Sequence, residues 1–96
     1  MAAKKQLEFS ARSLANMEAI KLHIAADNPA AATRVIQSVL SASEELTDFP
    51  MLGHTGQRTG TRELVLAKYP YTIIYRLTLK KIHIVAVVHQ SQQHPS

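Results

Sequence analysis

Residues 61–89 carry three runs rich in Ile, Val, Tyr and Thr in close succession, and this stretch limits the possible fold more than any other. The first run, residues 62–66, ends before Pro70, which has no N–H to give to a strand ladder. Residues 71–77 form the second, and residues 82–88 the third, after a short polar turn at Lys80 and Lys81. Connections this short make antiparallel neighbours, because a parallel crossover needs roughly a dozen residues or more. Such a sheet has an apolar face that something must cover.

The preceding residues supply the cover. Gln6, Leu7, Glu8 and Phe9 alternate polar and apolar, as a half-buried first strand does. Ser10 then stands where a helix N-cap belongs, its hydroxyl free to accept a backbone N–H. The helix after it places Leu14, Met17, Ile20 and Ile24 on one stripe, with Arg12, Glu18 and Lys21 off it. Asn28-Pro29 ends that helix, and Pro29 suits the first position of a second one. The second helix is predicted over about residues 30–47, burying Ala32, Val35, Ile36, Val39, Leu40 and Leu46. A joint this short forces an antiparallel helical hairpin. Residues 49–60 hold all three glycines and read as a long surface loop, without the Gly-Lys-Ser/Thr ending of a phosphate loop.

The expected order is therefore β-α-α-β-β-β in a single domain over residues 1–96: an α+β fold with a helical hairpin on a small, mainly antiparallel sheet. Residues 90–96 read as a polar tail. There is no cysteine, which excludes disulfides, thiolate metal sites and cysteine nucleophiles. No apolar run reaches about 18 residues, and the start lacks the apolar core of a signal peptide, so a cytoplasmic location without membrane contact is expected.

The net charge of +4 is unevenly placed. Up to Asp48, Lys4, Lys5, Arg12, Lys21 and Arg34 are outnumbered by Glu8, Glu18, Asp27, Glu44, Glu45 and Asp48. Beyond it, Arg58, Arg62, Lys68, Arg76, Lys80 and Lys81 face only Glu63. A basic half on a small domain suits a polyanion or an acidic protein partner, and equally a solvated surface.

Strict alternation puts His83, Val85, Val87 and His89 on one face of the last strand, with Ile82, Ile84, Ala86 and Val88 towards the helices. His83 and His89 then look to the open face. The sharpest chemical reading is an anionic-substrate site of Arg62, Arg76, Tyr75 and His89, in which histidine acts as acid or base and arginine holds phosphate. The plainer reading makes His89 structural and Arg76 solvated. A metal site is weaker, since His83 and His89 stand roughly 20 Å apart along a strand and no carboxylate lies at ligand spacing to either. No cofactor is expected. Nucleic-acid binding in its own right lacks a basic helix face or a basic strand interleaved with aromatics.

Six segments in this order resemble the ParE/RelE superfamily of toxins from type II toxin–antitoxin modules. They are residues 10–17, 24–32, 46–53, 60–65, 70–76 and 87–90, so the resemblance spans nearly everything from Phe9 to Pro95. It implies a cytoplasmic growth-inhibiting toxin held silent in a hetero-oligomer by a cognate antitoxin of ParD or RelB type. Arg58, Arg62, Lys68, Arg76, Lys80, Lys81, His83 and His89 are the expected partner-binding residues, and an acidic, coupled-folding partner suits them.

The superfamily divides by target. RelE-like members cut ribosome-bound mRNA with lysines and arginines on the sheet. Aligned through Tyr75, those cations fall at Glu63, Val65 and Thr72, and the arginine they often carry after the last strand falls in Gln90-Ser91-Gln92-Gln93. One such donor is worth about 2.7–4 kcal/mol at the transition state, so these losses weigh towards ParE-like members, which poison DNA gyrase. The alternatives are an mRNA endonuclease using Arg62, Arg76, Tyr75 and His89, and a degenerate module that only binds its antitoxin.

Overall fold

The computed structural model describes residues 4–92 of the chain. Its elements are β1 (Gln6–Phe9), α1 (Ala11–Ala25), α2 (Pro29–Asp48), β2 (His54–Thr55), β3 (Arg62–Val65), β4 (Tyr71–Leu77) and β5 (Lys81–His89). One sheet forms in the order β1-β5-β4-β3-β2. β1 runs parallel to β5 and every other pair is antiparallel. The helices pack on each other and α1 lies along β5, so the expected α+β architecture is the one that forms.

Both helix starts follow from their caps. Ser10 Oγ accepts the Ser13 N–H at 3.0 Å, and Asn28 Oδ1 accepts that of Ala31 at 3.0 Å ahead of Pro29. Ser10 also ties α1 to the sheet: its N–H donates to the Ile84 carbonyl at 2.9 Å and its hydroxyl to that of Val85 at 2.7 Å. This close approach selects the small Ser13 for the contact, and it is fully buried. The buried stripe of α1 is thereby turned from the expected one. Met17 is buried, whereas Leu14 is 54% exposed. On α2, Ala32, Val35, Val39 and Leu46 are buried as expected, but Leu40 is exposed and Ser43 takes an inward position, its hydroxyl donating to the Val39 carbonyl.

Two further features depart from the sequence expectation. The glycine-rich loop contains the two-residue strand β2, whose His54 and Thr55 pair with Glu63 and Arg62. Residues 90–92, expected as the start of a loose tail, form one 3-10 turn anchored by the Gln90 N–H on the Pro70 carbonyl at 2.8 Å. Residues 93–96 of that tail lie outside the described residues.

The departure with the greatest consequence is a β-bulge in β5. Tyr75 pairs with Ile84 and Ile74 pairs with Ala86, leaving Val85 as an extra residue. One extra residue reverses the alternation beyond it. Ile82 and Ile84 point to the helices before the bulge, and Val87 does so after it. His83 and His89 therefore do not share a face. The bulge is held from outside: Val85 accepts from Ser10, and the Val87 N–H donates to Asn16 Oδ1 at 3.1 Å.

Candidate functional site

Arg62 and Tyr75 are cross-strand partners on the face turned to the helices. Tyr75 is fully buried, accepting the Gly53 N–H at 3.0 Å and donating its hydroxyl to the Pro50 carbonyl at 2.9 Å. Arg62 donates from one guanidinium nitrogen to the carbonyls of Gly53 and Met51. These two side chains lash residues 50–53 to the sheet. A Cβ on Gly53 would sit 2.7 Å from both the Glu63 carbonyl and the Tyr75 hydroxyl, so no larger residue enters without displacement.

His89 lies on the same side but at the far end. Its ring meets Tyr71 edge-on at 5.3 Å and faces a hollow of α1 residues that includes Asn16, Ile20 and His23. The Ser91 N–H donates to Nδ1 at 3.1 Å. Arg76 projects from the opposite face of β4. The four residues expected to form an anionic-substrate site are therefore split, three on the helix side and one on the other, with no common point at which a substrate could meet them all.

The expected partner-binding residues also separate. His83 is opposite Arg76 and beside Glu8 of β1, whose Oε1 lies 3.0 Å from His83 Nδ1. Lys81 donates to Glu8 Oε2 at 3.0 Å. A carboxylate does approach His83, then, because the parallel β1–β5 register sets Glu8 opposite it across 75 residues of sequence. The hydrogen bond from Lys81, and after it that from His83, hold the Glu8 carboxyl below its ordinary range. A lowered carboxyl pKa favours the fold while the group is ionised, so this contribution is complete above the unfolded value and fades as pH falls through the lowered one. Glu8→Gln should therefore flatten the acid limb of stability against pH, read from urea midpoints taken between neutral and acid pH.

On the face away from the helices, Arg12, Arg58 and Arg76 line one concavity of about 260 Å³, with Gln57, Glu63, Ile74, Val85 and Val88. Arg12 arrives from the first turn of α1, a placement that no local sequence signal announces. Thr72, on the same face of β4, is fully buried, and its hydroxyl has no hydrogen-bond partner among the described residues. Lys80 is exposed in the turn before β5.

Lys68 belongs to a third place. A groove of about 550 Å³ runs between α2 and β3, with Arg34, Ala42, Glu45, Leu52, Leu64 and Lys68 among its walls. Leu52 and Val65 at this groove are about half exposed, and nearby in the chain Phe49 and Met51 are more exposed still. Because β2 pairs only with Arg62 and Glu63, no strand among the described residues covers the outer side of Leu64 and Val65. An apolar groove beside a bare strand edge accepts a partner segment through burial and backbone hydrogen bonds together.

Comparison with known proteins places these features. Residues 7–94 match the family model described as the ParE toxin of the type II toxin–antitoxin system parDE. The chain is 37% identical over 93 residues to Y4kP of Sinorhizobium fredii, a protein named as a toxin, covering 97% of this chain and 96% of that one. Toxin RelE2 of Caulobacter vibrioides is 32% identical over 87 residues, covering 91% and 97%. Among solved structures, the chromosomal ParDE toxin–antitoxin system of P. aeruginosa superposes with a TM-score of 0.80 at 21% identity, over 90% of this chain and 96% of that chain. The RelBE2 toxin–antitoxin complex of Mycobacterium tuberculosis superposes at 0.62 and 16% identity, over 91% and 99%.

Proposed function

Since this chain belongs to the ParE toxin family of type II toxin–antitoxin systems, we propose that it arrests growth by trapping DNA gyrase on cleaved DNA and is silenced by an antitoxin seated between α2 and β3. One observation carries the choice of gyrase over message cleavage. Arg62, Tyr75 and His89 are spent on holding residues 50–53 and the end of β5, on the opposite side of the sheet from Arg76. RNA cleavage needs an acid, a base and cations converging on one phosphate, and these four side chains do not converge. Thr72, where a cation of the nuclease branch would stand, is a buried hydroxyl. Incubating the purified protein with gyrase and supercoiled plasmid should accumulate linear DNA. Cleavage of ribosome-bound message without that product would overturn the reading.

The antitoxin assignment rests on the groove. Among the described residues its cations Arg34 and Lys68 outnumber its one acid, Glu45, its floor is aliphatic, and no strand pairs with the β3 edge at Leu64 and Val65. An acidic segment with spaced apolar side chains matches all three. Leu52, 48% exposed, can be changed without opening the core. Leu52→Asp should weaken antitoxin binding by about 30-fold or more, the loss expected of a central apolar contact given a charge. Calorimetric titration with the antitoxin expressed from the neighbouring gene checks this, and unchanged affinity would move the interface elsewhere.

A further inference from the structure

The concavity on the face away from the helices shares no lining residue with the groove between α2 and β3. Its three arginines come from three elements: Arg12 from α1, Arg58 from the loop before β3, and Arg76 from β4. Each has a fixed base. α1 is pinned to β5 through Ser10, 2.7 Å from the Val85 carbonyl. Thr61 closes a turn on Arg58, donating both its N–H, at 3.1 Å, and its hydroxyl, at 2.7 Å, to the Arg58 carbonyl. Arg76 Nη1 lies against Gly60, where an added Cβ would stand 3.1 Å away and where φ is +81°.

None of the three guanidinium groups pairs with a carboxylate among the described residues. The one acid on the wall among the described residues, Glu63, is nearly buried and accepts the Gln57 N–H at 3.2 Å. Three cations around one hollow, against the single carboxylate of Glu63 among the described residues, leave an excess of positive charge there. They suit a polymer that brings repeated charges at short intervals. Guanidinium groups engage phosphate oxygens in pairs. Among the described residues no aromatic side chain lines the hollow, so contact would be with the backbone and indifferent to sequence.

We propose that this concavity is a phosphodiester site that holds the backbone of a DNA strand, so that the toxin grips nucleic acid as well as protein. The choice of DNA over other polyanions rests on the gyrase reading; the site itself does not. In that setting the DNA-facing and antitoxin-facing surfaces lie on different sides of the sheet.

Fluorescence anisotropy with a labelled DNA duplex tests it, using the intact protein without gyrase. Three phosphate contacts should weaken binding roughly 40-fold as salt rises from about 50 to about 200 mM. In the triple variant Arg12→Gln, Arg58→Gln, Arg76→Gln the salt slope should fall by about 1 for each arginine removed. Arg34→Gln with Lys68→Gln, at the groove, should leave the slope unchanged. Retained antitoxin binding shows that the triple variant folds; if it is lost, Arg76→Gln alone carries the test, with a slope change of about 1. Absence of DNA binding at the lower salt, or a triple variant that binds like the parent, overturns the proposal. So does a triple variant that loses affinity for a polyglutamate peptide but keeps it for DNA. Gyrase trapping is measured separately: its absence with DNA binding intact would sink the target and leave the site standing.

Discussion

Inserting one alanine between Val85 and Ala86 should unfold or nearly unfold this protein, whereas deleting Val85 should cost little. The bulge already adds one residue to β5, and it sets which side chains beyond it face the helices. A second extra residue would turn Val87 outward and swing His89 away from Tyr71. Lost burial of Val87 alone is worth about 1.5–3 kcal/mol. Separation of the Tyr71–His89 pair, loss of the Asn16 bond to Val87 and a disturbed core should bring the total to about 4 kcal/mol or more. A domain of this size has roughly 5–15 kcal/mol in all. Deletion of Val85, by contrast, leaves Ile84 inward, Ala86 outward and Val87 inward in an unbroken alternation. It forfeits chiefly the Ser10 anchor, at about 1–2 kcal/mol. Urea unfolding of both variants is the check. Equal damage from insertion and deletion would mean that the bulge does not set the phase.

Tyr75 is expected to give the next largest effect, and two substitutions divide it. Tyr75→Ala removes a fully buried ring and should cost about 3–5 kcal/mol. Tyr75→Phe keeps the ring and strands the Gly53 N–H and the Pro50 carbonyl, at about 1–3 kcal/mol. The pattern across the two assays matters as much as the size. If the hydroxyl served a catalytic step, Tyr75→Phe would abolish activity and leave the unfolding midpoint in place. The geometry calls for the reverse: a lower midpoint, with the activity of the folded protein unchanged.

How far these features were legible in the sequence follows from the range of the interactions that fix them. Ser10 and Asn28-Pro29 declare their helix starts because a cap is a contact across three residues. The strand runs of the second half are equally local. Residues 82–88 defeat the reading of faces because all but His83 are apolar, so the alternation carries no marker of where it slips. His89 was thus expected opposite its true side. Arg62 read as a phosphate- or partner-binding cation, and only the β3–β4 register places it beside Tyr75 and over Gly53. Glu8 and His83, and likewise Arg12 and Arg76, meet through β1 and α1 closing on β5, which nothing within either segment announces.

That closure has a bearing on synthesis. Among the described residues, 6–9 find their strand partner in residues 81–84 alone, so β1 must wait for β5 to leave the ribosome. Until then α1 lacks the carbonyls that Ser10 grips, and β4 lacks a neighbour on one flank. A nascent chain cut short anywhere before Lys81 cannot complete the sheet, and interrupted translation would release no half-built poison. The molecule becomes dangerous only when finished, which leaves the interval of its own elongation for an antitoxin to be made and waiting.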